Sequence, residues 1–396
     1  MSIATPFHPR TSVLCTSLFW KEWAGHHAVR SYDTHHEPEY FAIRHAAALI
    51  DVSPLFKYDV SGADAEAFLS HVMVRDIRKL AIGRVTYLCW CDDDGKVLDD
   101  GTVSRFSEQE FRVTSAEPAL GWLHRQAGRY RVAVEDVSER IATLSLQGPR
   151  SRDILRAATD ADLDALRFFA VTPATLGGID IRISRTGYTG DLGYEIWVHR
   201  DKALPVWDAL MDGGRPHRIT PTGLDAMDVS RIEAGFILNG VDYFSAHKCI
   251  VSSRKSSPFE IGLGWTVNLD RDPFVGQAAL RRERANGSTW AKVGLVLDWD
   301  EHEALFAKLG LPPQISSAAW RTAVPVYDAG GRQVGQATSG AWSPTLKQNL
   351  ALATVEAAYA APGTRLRMEV TVEFQRHRIT ATVTKTPFFN PERKRS

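Results

Sequence analysis

The C-terminal third of the chain is made of short segments with strand character that follow one another closely. They cover residues 293–297, 324–327, 333–337, 350–355, 366–374 and 377–383. Many short strands in succession are typical of a small antiparallel barrel. The pattern of mixed helices and strands gives way almost entirely to short strands after the charged run that precedes Asn286-Gly287. We therefore predict that residues 285–396 form a separate β-barrel domain.

The first 284 residues alternate helical and strand patterns and predict an α+β body. Because 396 residues exceed what one hydrophobic core usually serves, we expect this body to contain two subdomains. An Asp-Gly turn, Asp94-Gly95, joins two strand patterns as a hairpin. Apolar periodicity predicts helices over residues 39–49 and 222–235, and residues 261–267 have a strand pattern.

Both ends of the chain are less regular. Aromatic residues alternate with histidine pairs in the first forty residues, and we interpret this region as an irregular, aromatic-packed segment. The pairs His26-His27 and His35-His36 fit no standard zinc spacing, and adjacent side chains diverge, so we expect no metal site. The basic tail, residues 390–396, is expected to fray.

A glycine-rich loop lies in the middle of the body, at residues 185–195. Gly187, Gly190 and Gly193 fall within seven positions, between flanks rich in β-branched and aromatic residues. Glycines permit positive φ and close approach of the backbone to a ligand. The loop is either a simple hairpin connection or the wall of a site for a flat, polar ring. In the second case Glu195, a carboxylate, would accept parallel N–H bonds from an amino-pyrimidine edge.

Asp99 and Asp100 follow the predicted hairpin on a strand. Neighbouring strand residues point to opposite faces, so at most one of the two enters a given pocket. Aspartate is disfavoured within strands, which indicates either a functional site or an edge strand protected by charge.

Composition and motifs exclude several classes of function. Lys+Arg and Asp+Glu each number 47, and this zero formal charge argues against nucleic acid or a membrane surface as the main partner. Four scattered cysteines favour a cytoplasmic setting. The sequence contains no phosphate-binding GxxxxGK[ST], no GxGxxG, no HExxH and no GxSxG motif.

Taken together, the motifs resemble the aminomethyltransferase (glycine-cleavage T-protein) family of tetrahydrofolate-dependent enzymes, which includes related demethylases. The glycine loop, Arg185 to Glu195, carries the resemblance. Supporting stretches occur in the family's order: Ala42-Ile43-Arg44, Ile50 to Ser53, Gly95 to Asp100, Leu146 to Pro149, Arg231 to Gly235, Gly262 to Trp265, Thr338 to Gly340, Ser343 to Leu346 and Pro387-Phe388.

The resemblance implies a folate-binding body around a central channel, followed by the C-terminal barrel, with tetrahydrofolate as cofactor. It implies that Asp100 lies beside the reacting folate nitrogen and that Glu195 binds the pterin edge. The other residues that it implies near the folate are Tyr87, Tyr188, Arg231, Trp265 and Ser115.

Several positions depart from the family pattern. Met227 replaces an arginine of the T-proteins, and Ser115 replaces an asparagine near the folate. Pro54 replaces a histidine, and residues 15–32 replace a phenylalanine-alanine-glycine-tryptophan stretch. Loss of the arginine removes a bidentate anion and amide binder. Met227 is therefore assigned to the donor side of the site.

These departures suggest an enzyme that moves a methyl group from a small-molecule donor to N5 of tetrahydrofolate. The first alternative is the aminomethyltransferase of the glycine cleavage system, which would act on a lipoyl carrier protein. A lesser alternative is a non-catalytic folate-binding accessory protein. Its lysine-glycine-cysteine motif is not present around Cys249.

Overall fold

The computed structural model describes residues 2–396, and these residues form nine α-helices and twenty β-strands. The helices are α1 His8–Leu14, α2 Glu37–His45, α3 Ala65–Val72, α4 Leu120–Ala127, α5 Ser151–Ala158, α6 Ala203–Gly214, α7 Leu224–Glu233, α8 Gln277–Asn286 and α9 Trp299–Ala307. The strands of the body are β1 Ile3–Ala4, β2 Phe19–Trp23, β3 His26–Ser31, β4 Ala47–Asp51, β5 Phe56–Ser61, β6 Val85–Cys91, β7 Val97–Arg105, β8 Glu110–Ser115, β9 Ala133–Asp136, β10 Ile141–Gln147, β11 Val171–Leu176, β12 Ile179–Ser184, β13 Gly193–His199 and β14 Ile219–Pro221. The strands of the barrel are β15 Trp290–Leu297, β16 Val324–Tyr327, β17 Gln333–Ser343, β18 Gln348–Glu356, β19 Arg365–Val372 and β20 Gln375–Thr384.

The body contains two large sheets. The six-stranded sheet has the order β11-β12-β13-β10-β4-β14, and the five-stranded sheet has the order β6-β7-β8-β5-β9. A three-stranded sheet, β1-β3-β2, lies at the N-terminus. None of the helices within residues 2–396 is long and apolar enough to cross a membrane.

Each large sheet has one apolar and one polar face, because apolar residues alternate along its strands. In the six-stranded sheet, Leu144, Leu146 and Ile196 belong to a core that includes Trp207 of α6. In the five-stranded sheet, Tyr58 and Val113 belong to a second core with residues of α3 and α4.

The polar faces of the two sheets lie against each other. Arg112 of β8 stacks on the Trp197 ring of β13, with its guanidinium carbon 5.2 Å from the ring centroid. The hydroxyl of Ser53, which precedes β5, accepts a hydrogen bond from the Thr143 N–H of β10 over 3.1 Å. We call the residues Lys57, Ser104, Thr114, Thr143 and Glu195, which lie on these facing surfaces, the inter-sheet layer.

The predicted C-terminal barrel is confirmed. Strands β15-β18-β17-β16-β19-β20 close on themselves with antiparallel pairing throughout, and Leu295, Ala353 and Val383 fill the interior. The α+β class with a barrel behind it is therefore correct. The division at residue 285 falls within the last turn of α8, and we keep it as a proposal.

Four local predictions differ from the structure. The helix predicted over residues 39–49 ends at His45, and Ala47–Asp51 is a strand. This strand is buried on both faces, so it lacks the alternation that identifies strands in a sequence. Residues 264–266 form a 3₁₀ turn instead of a strand. The first forty residues form the N-terminal sheet and α1, and the tail is held by hydrogen bonds.

Candidate active site

Asp100 lies on β7 with two phenols around its carboxylate. Tyr87 of β6 faces the same side of the sheet, because Asp100 pairs with Cys89 two residues along that strand. The Tyr87 hydroxyl donates to Asp100 Oδ2 over 2.5 Å, and the Tyr243 hydroxyl donates to Oδ1. Burial raises the pKa of Asp100, while hydrogen bonds from the two phenols lower it. Sequence reasoning did not identify Tyr243, which follows the helix α7 in an irregular segment.

Asp99 points to the opposite face, as the strand geometry predicts. Its Oδ1 accepts from the Asn239 amide over 2.7 Å, and its Oδ2 accepts from the Glu117 N–H over 2.9 Å. Burial and the neighbouring charge of Asp100 raise the pKa of Asp99 to about 8. Asp99 therefore links the segments around Asn239 and Glu117 on one face of the sheet, and Asp100 is the carboxylate on the opposite, polar face.

Lys292 of the barrel strand β15 is a second residue that sequence reasoning missed. Its ammonium donates to the Gly235 carbonyl after α7. Burial lowers the pKa of Lys292 to about 8, and the negative charges of Asp242 and Asp100 act in the opposite direction. The lysine thus supplies positive charge near Asp100. The one signal in the sequence is a lysine within the aliphatic run Lys292 to Val296.

The glycine loop connects β12 to β13, and its glycines are needed for packing inside the protein. A Cβ on Gly187 or Gly193 would lie 2.2 Å or 2.1 Å from the side-chain oxygen of Gln147. Gly190 has a φ of +74°, and a Cβ there would lie 2.5 Å from that of Ala234 in the α7 C-cap. Two of these glycines therefore give space to Gln147, and the third lets the loop lie against the end of α7.

Tyr188 is held rigidly within this loop. Its hydroxyl donates to the Ile237 carbonyl, and its ring stacks on Phe236 with a centroid separation of 5.6 Å. Burial raises the pKa of Tyr188, and the Asp100 carboxylate is among the charges that act on it. The loop therefore places a fixed aromatic ring within electrostatic range of Asp100.

Glu195 lies on β13, opposite Ser145 of β10 and Ser184 of β12. Its side chain belongs to the inter-sheet layer, where burial raises its pKa, and a hydrogen bond from Thr186 and the positive charge of Lys57 lower it. Three hydroxyls of this layer are buried without a hydrogen-bond partner: those of Ser104, Thr114 and Thr143. Unpaired buried polar atoms are uncommon and call for an explanation.

The remaining predicted residues lie at different places. Trp265 is 63% exposed, with its ring 6.3 Å from that of Tyr87. Arg231 is fully buried, bonds Asp228 over 2.7 Å and Asp242 over 2.5 Å, and leaves its Nη2 without a partner.

Ser115 and Met227 complete the predicted set. Ser115 lies opposite Gly101, which in turn pairs with Leu88 of the apolar core. Its side chain therefore points away from Asp100, and its hydroxyl donates to the Glu117 carbonyl over 2.8 Å. Met227 is half-buried on α7, one turn before Arg231.

The site thus combines an ionisable carboxylate beside two phenols, a nearby lysine and a buried polar layer that ends in Glu195. A preorganised carboxylate stabilises positive charge that develops on a neighbouring nitrogen, or accepts a proton from it. Within residues 2–396 no three His, Cys, Asp or Glu side chains are grouped so that they could hold a metal ion.

Comparisons with known proteins identify the family. Residues 11–271 match the family model described as the GCVT N-terminal domain, and residues 309–390 match the glycine cleavage T-protein C-terminal barrel domain. Aminomethyltransferases of Halothermothrix orenii and Streptomyces avermitilis are each 34% identical, over 88% and 92% of this chain and 90% and 93% of their own lengths. A trimethylamine-oxide aldolase of Ruegeria pomeroyi is 33% identical over 90% of this chain, which spans 43% of that protein.

A solved structure shows the same fold. The glycine cleavage system aminomethyltransferase T of Bartonella henselae is 23% identical and superposes with a TM-score of 0.83, over 98% of this chain and 99% of that one. The two domain matches cover most of the sequence, and the relatives match it nearly end to end. The chain therefore belongs to the aminomethyltransferase (glycine-cleavage T-protein) family of tetrahydrofolate-dependent one-carbon transferases.

Proposed function

We propose that the chain transfers an aminomethyl-derived carbon to N5 of tetrahydrofolate, as the aminomethyltransferase of a glycine cleavage system. The observation that carries the proposal is the half-buried Asp100 carboxylate between two phenols, in a chain that aligns over its length with aminomethyltransferases. The partner in this reaction is a lipoyl carrier protein that delivers the aminomethyl group.

The residues present fit a bound folate. The three unpaired hydroxyls of the inter-sheet layer, Ser104, Thr114 and Thr143, offer hydrogen bonds that no protein group uses. Glu195 ends this layer as a half-buried acceptor suited to the N–H groups of a pterin edge. Tyr87, Tyr188 and Trp265 supply aromatic surface for the rest of the molecule.

The chain's own groups have distinct roles in this proposal. When bound, tetrahydrofolate supplies the nitrogen that receives the carbon. Asp100 stabilises positive charge next to its carboxylate or accepts a proton there. Tyr87 and Tyr243 orient Asp100 and favour its ionised form, and Lys292 adds attraction from the barrel. Glu195 fixes the ring so that the reacting atoms meet in one geometry.

A second candidate is the transfer of an intact methyl group from a small molecule, and Met227 favours it. The T-proteins have an arginine at this position, whereas here the half-buried Met227 of α7 offers an apolar thioether. The aromatic residues of β2, Phe19, Trp20 and Trp23, would suit an aryl ether, sulfonium or methylated amine donor.

One paired assay decides between the two functions. Purified protein is incubated with tetrahydrofolate and either an aminomethylated lipoyl carrier protein or a panel of methyl donors. The first proposal predicts release of ammonia and formation of methylenetetrahydrofolate with the carrier alone. Formation of 5-methyltetrahydrofolate from a small donor, without carrier-dependent ammonia, would refute it in favour of the second candidate.

Two variants of Met227 sharpen this assay. Met227→Arg introduces the guanidinium of the T-proteins and should increase carrier-dependent ammonia release if aminomethyl transfer is the native reaction. Met227→Leu, which keeps an apolar side chain of similar volume, is the matched control and should leave that rate unchanged.

A further inference from the structure

Lys57 is a buried lysine of β5 to which the mechanism above gives no role. Its side chain is 1% exposed. The ammonium donates to the Ser53 carbonyl over 2.8 Å and to the Leu55 carbonyl over 2.7 Å. An ammonium has three N–H donors, so one of them remains for another partner. A buried cation with an unused donor is costly unless a ligand or water accepts from it.

Its neighbours place this unused donor inside the inter-sheet layer. Lys57 is the direct cross-strand partner of Thr114, whose buried hydroxyl has no partner. Ser53, which holds the ammonium, is bonded through its hydroxyl to Thr143, another residue with a free hydroxyl. Burial and the positive charge of Arg112 lower the pKa of Lys57 to about 7, and Asp51 and Glu195 act in the opposite direction.

The layer therefore offers two kinds of hydrogen-bonding group. Glu195 accepts hydrogen bonds, whereas Lys57 donates one. A planar ring satisfies both when it has N–H groups at one edge and a carbonyl oxygen at another, as the amino-pyrimidinone ring of tetrahydrofolate does. The unpaired hydroxyls of the layer can act as donor or acceptor.

We infer that Lys57 is a folate-binding residue whose free N–H donates to the ring carbonyl of the pterin, while Glu195 accepts from the N–H groups of the same ring. This inference rests on the tetrahydrofolate dependence of the proposed function. It is independent of the donor, because it concerns only how the ring is held.

Equilibrium binding of two ligands tests the inference. Tetrahydrofolate is compared with tetrahydroaminopterin, which carries an amino group in place of the ring carbonyl. Their dissociation constants are measured by calorimetry for the native protein and for Lys57→Met, which keeps the length of the side chain but has no donor. We expect the native protein to prefer tetrahydrofolate by about 10-fold or more, since the lysine donor meets an acceptor in one ligand and a donor in the other.

In Lys57→Met this preference should disappear, with tetrahydrofolate binding weakened about 10-fold or more. Equal weakening of both ligands would overturn the inference, because it would show that Lys57 only anchors the segment 53–55. Unchanged binding of both would overturn it as well. If the native protein binds neither ligand, the folate dependence itself fails, and Lys57 has no ring to bind.

Two controls separate this result from a general loss of structure. Lys96→Met removes a half-buried lysine that pairs with Glu260 over 3.3 Å, away from the inter-sheet layer. It should leave both dissociation constants unchanged. Lys57→Arg keeps a cationic donor, so a partial return of the preference for tetrahydrofolate is expected even if its affinity is lower.

Discussion

Asp99 and Asp100 are neighbours in the sequence with opposite surroundings in the structure. Asp99 is bonded to Asn239, Glu117 and, over 3.3 Å, the Tyr243 hydroxyl, whereas Asp100 accepts from both Tyr87 and Tyr243. Strand alternation predicts that the two diverge, and the resemblance to the family selects Asp100. The sequence could not predict Tyr243, because its contact with Asp100 depends on a chain reversal after α7.

Besides Tyr243, sequence reasoning missed two lysines. Lys57 and Lys292 are both held by backbone carbonyls and have lowered pKa values, but exposed lysines have the same appearance in a sequence. Glu195 was easier to identify, because it follows a glycine loop with a family signature. Burial of a long cationic side chain is a property of tertiary packing and has no local pattern.

Replacement of Tyr87 by phenylalanine should move the acidic limb of the pH–activity profile to higher pH. The phenol favours the ionised form of Asp100, so its loss raises the pKa of that carboxyl further. Activity requires the carboxylate and falls as the pH drops through this pKa, so the fall begins at higher pH in the variant. A hydrogen bond to a charged group of about 1.5–3 kcal/mol predicts a shift of about one to two pH units.

The profile of kcat/KM against pH measures this shift. Tyr188→Phe is the control, because the Tyr188 hydroxyl donates to the Ile237 carbonyl and not to Asp100. If both variants shift the limb equally, or if neither does, Asp100 is not the group that titrates.

At the scale of elements, the glycine loop and the C-terminal tail form one unit. Arg393 donates to both carboxylate oxygens of Asp191, over 2.7 Å and 2.8 Å, and to the Arg44 carbonyl over 3.1 Å. The Asp191 side chain is fully buried. A basic, polar tail gives no sign of such docking in the sequence, since its partner lies 202 residues earlier. The expectation that it frays was therefore wrong.

Arg393→Met should lower the free energy of unfolding by about 1–3 kcal/mol, because it removes the bidentate partner of a buried carboxylate. Urea unfolding followed by tryptophan fluorescence measures the change. Arg395→Met alters an exposed arginine two residues away and should change stability by less than about 0.5 kcal/mol. Equal free energies of unfolding for the two variants would show that the contact of Arg393 with Asp191 does not stabilise the protein.

For the whole molecule, barrel hydroxyls donate hydrogen bonds to a buried ion pair of the body. Asp242 accepts from Arg231 of α7 over 2.5 Å and from Thr338 and Ser339 of the barrel strand β17 over 2.6 Å and 2.7 Å. The order of motifs along the sequence predicted both the barrel and the body. It could not predict that the barrel contributes Lys292 to the site, because that depends on how the two domains pack.

Asp242→Asn should lower the free energy of unfolding by about 3–5 kcal/mol, since it leaves the buried Arg231 with half of its compensating charge. Thermal and urea denaturation measure the loss. Asp225→Asn, on α7 with Arg231, breaks only the partly exposed pair with Arg30 and should cost less than about 1 kcal/mol. A small effect at Asp242 would contradict a structural role for this ion pair.

The proposed chemistry depends on Asp100 as the carboxylate at the reacting nitrogen. Asp100→Asn keeps the shape of the side chain but removes its charge, and loss of one electrostatic stabiliser lowers kcat by about 10²–10³-fold. The decisive measurement is the tetrahydrofolate-dependent transfer rate of this variant, with its tetrahydrofolate dissociation constant determined in parallel. We predict that turnover nearly vanishes while folate binding remains detectable. Full activity of Asp100→Asn would remove Asp100 from the mechanism.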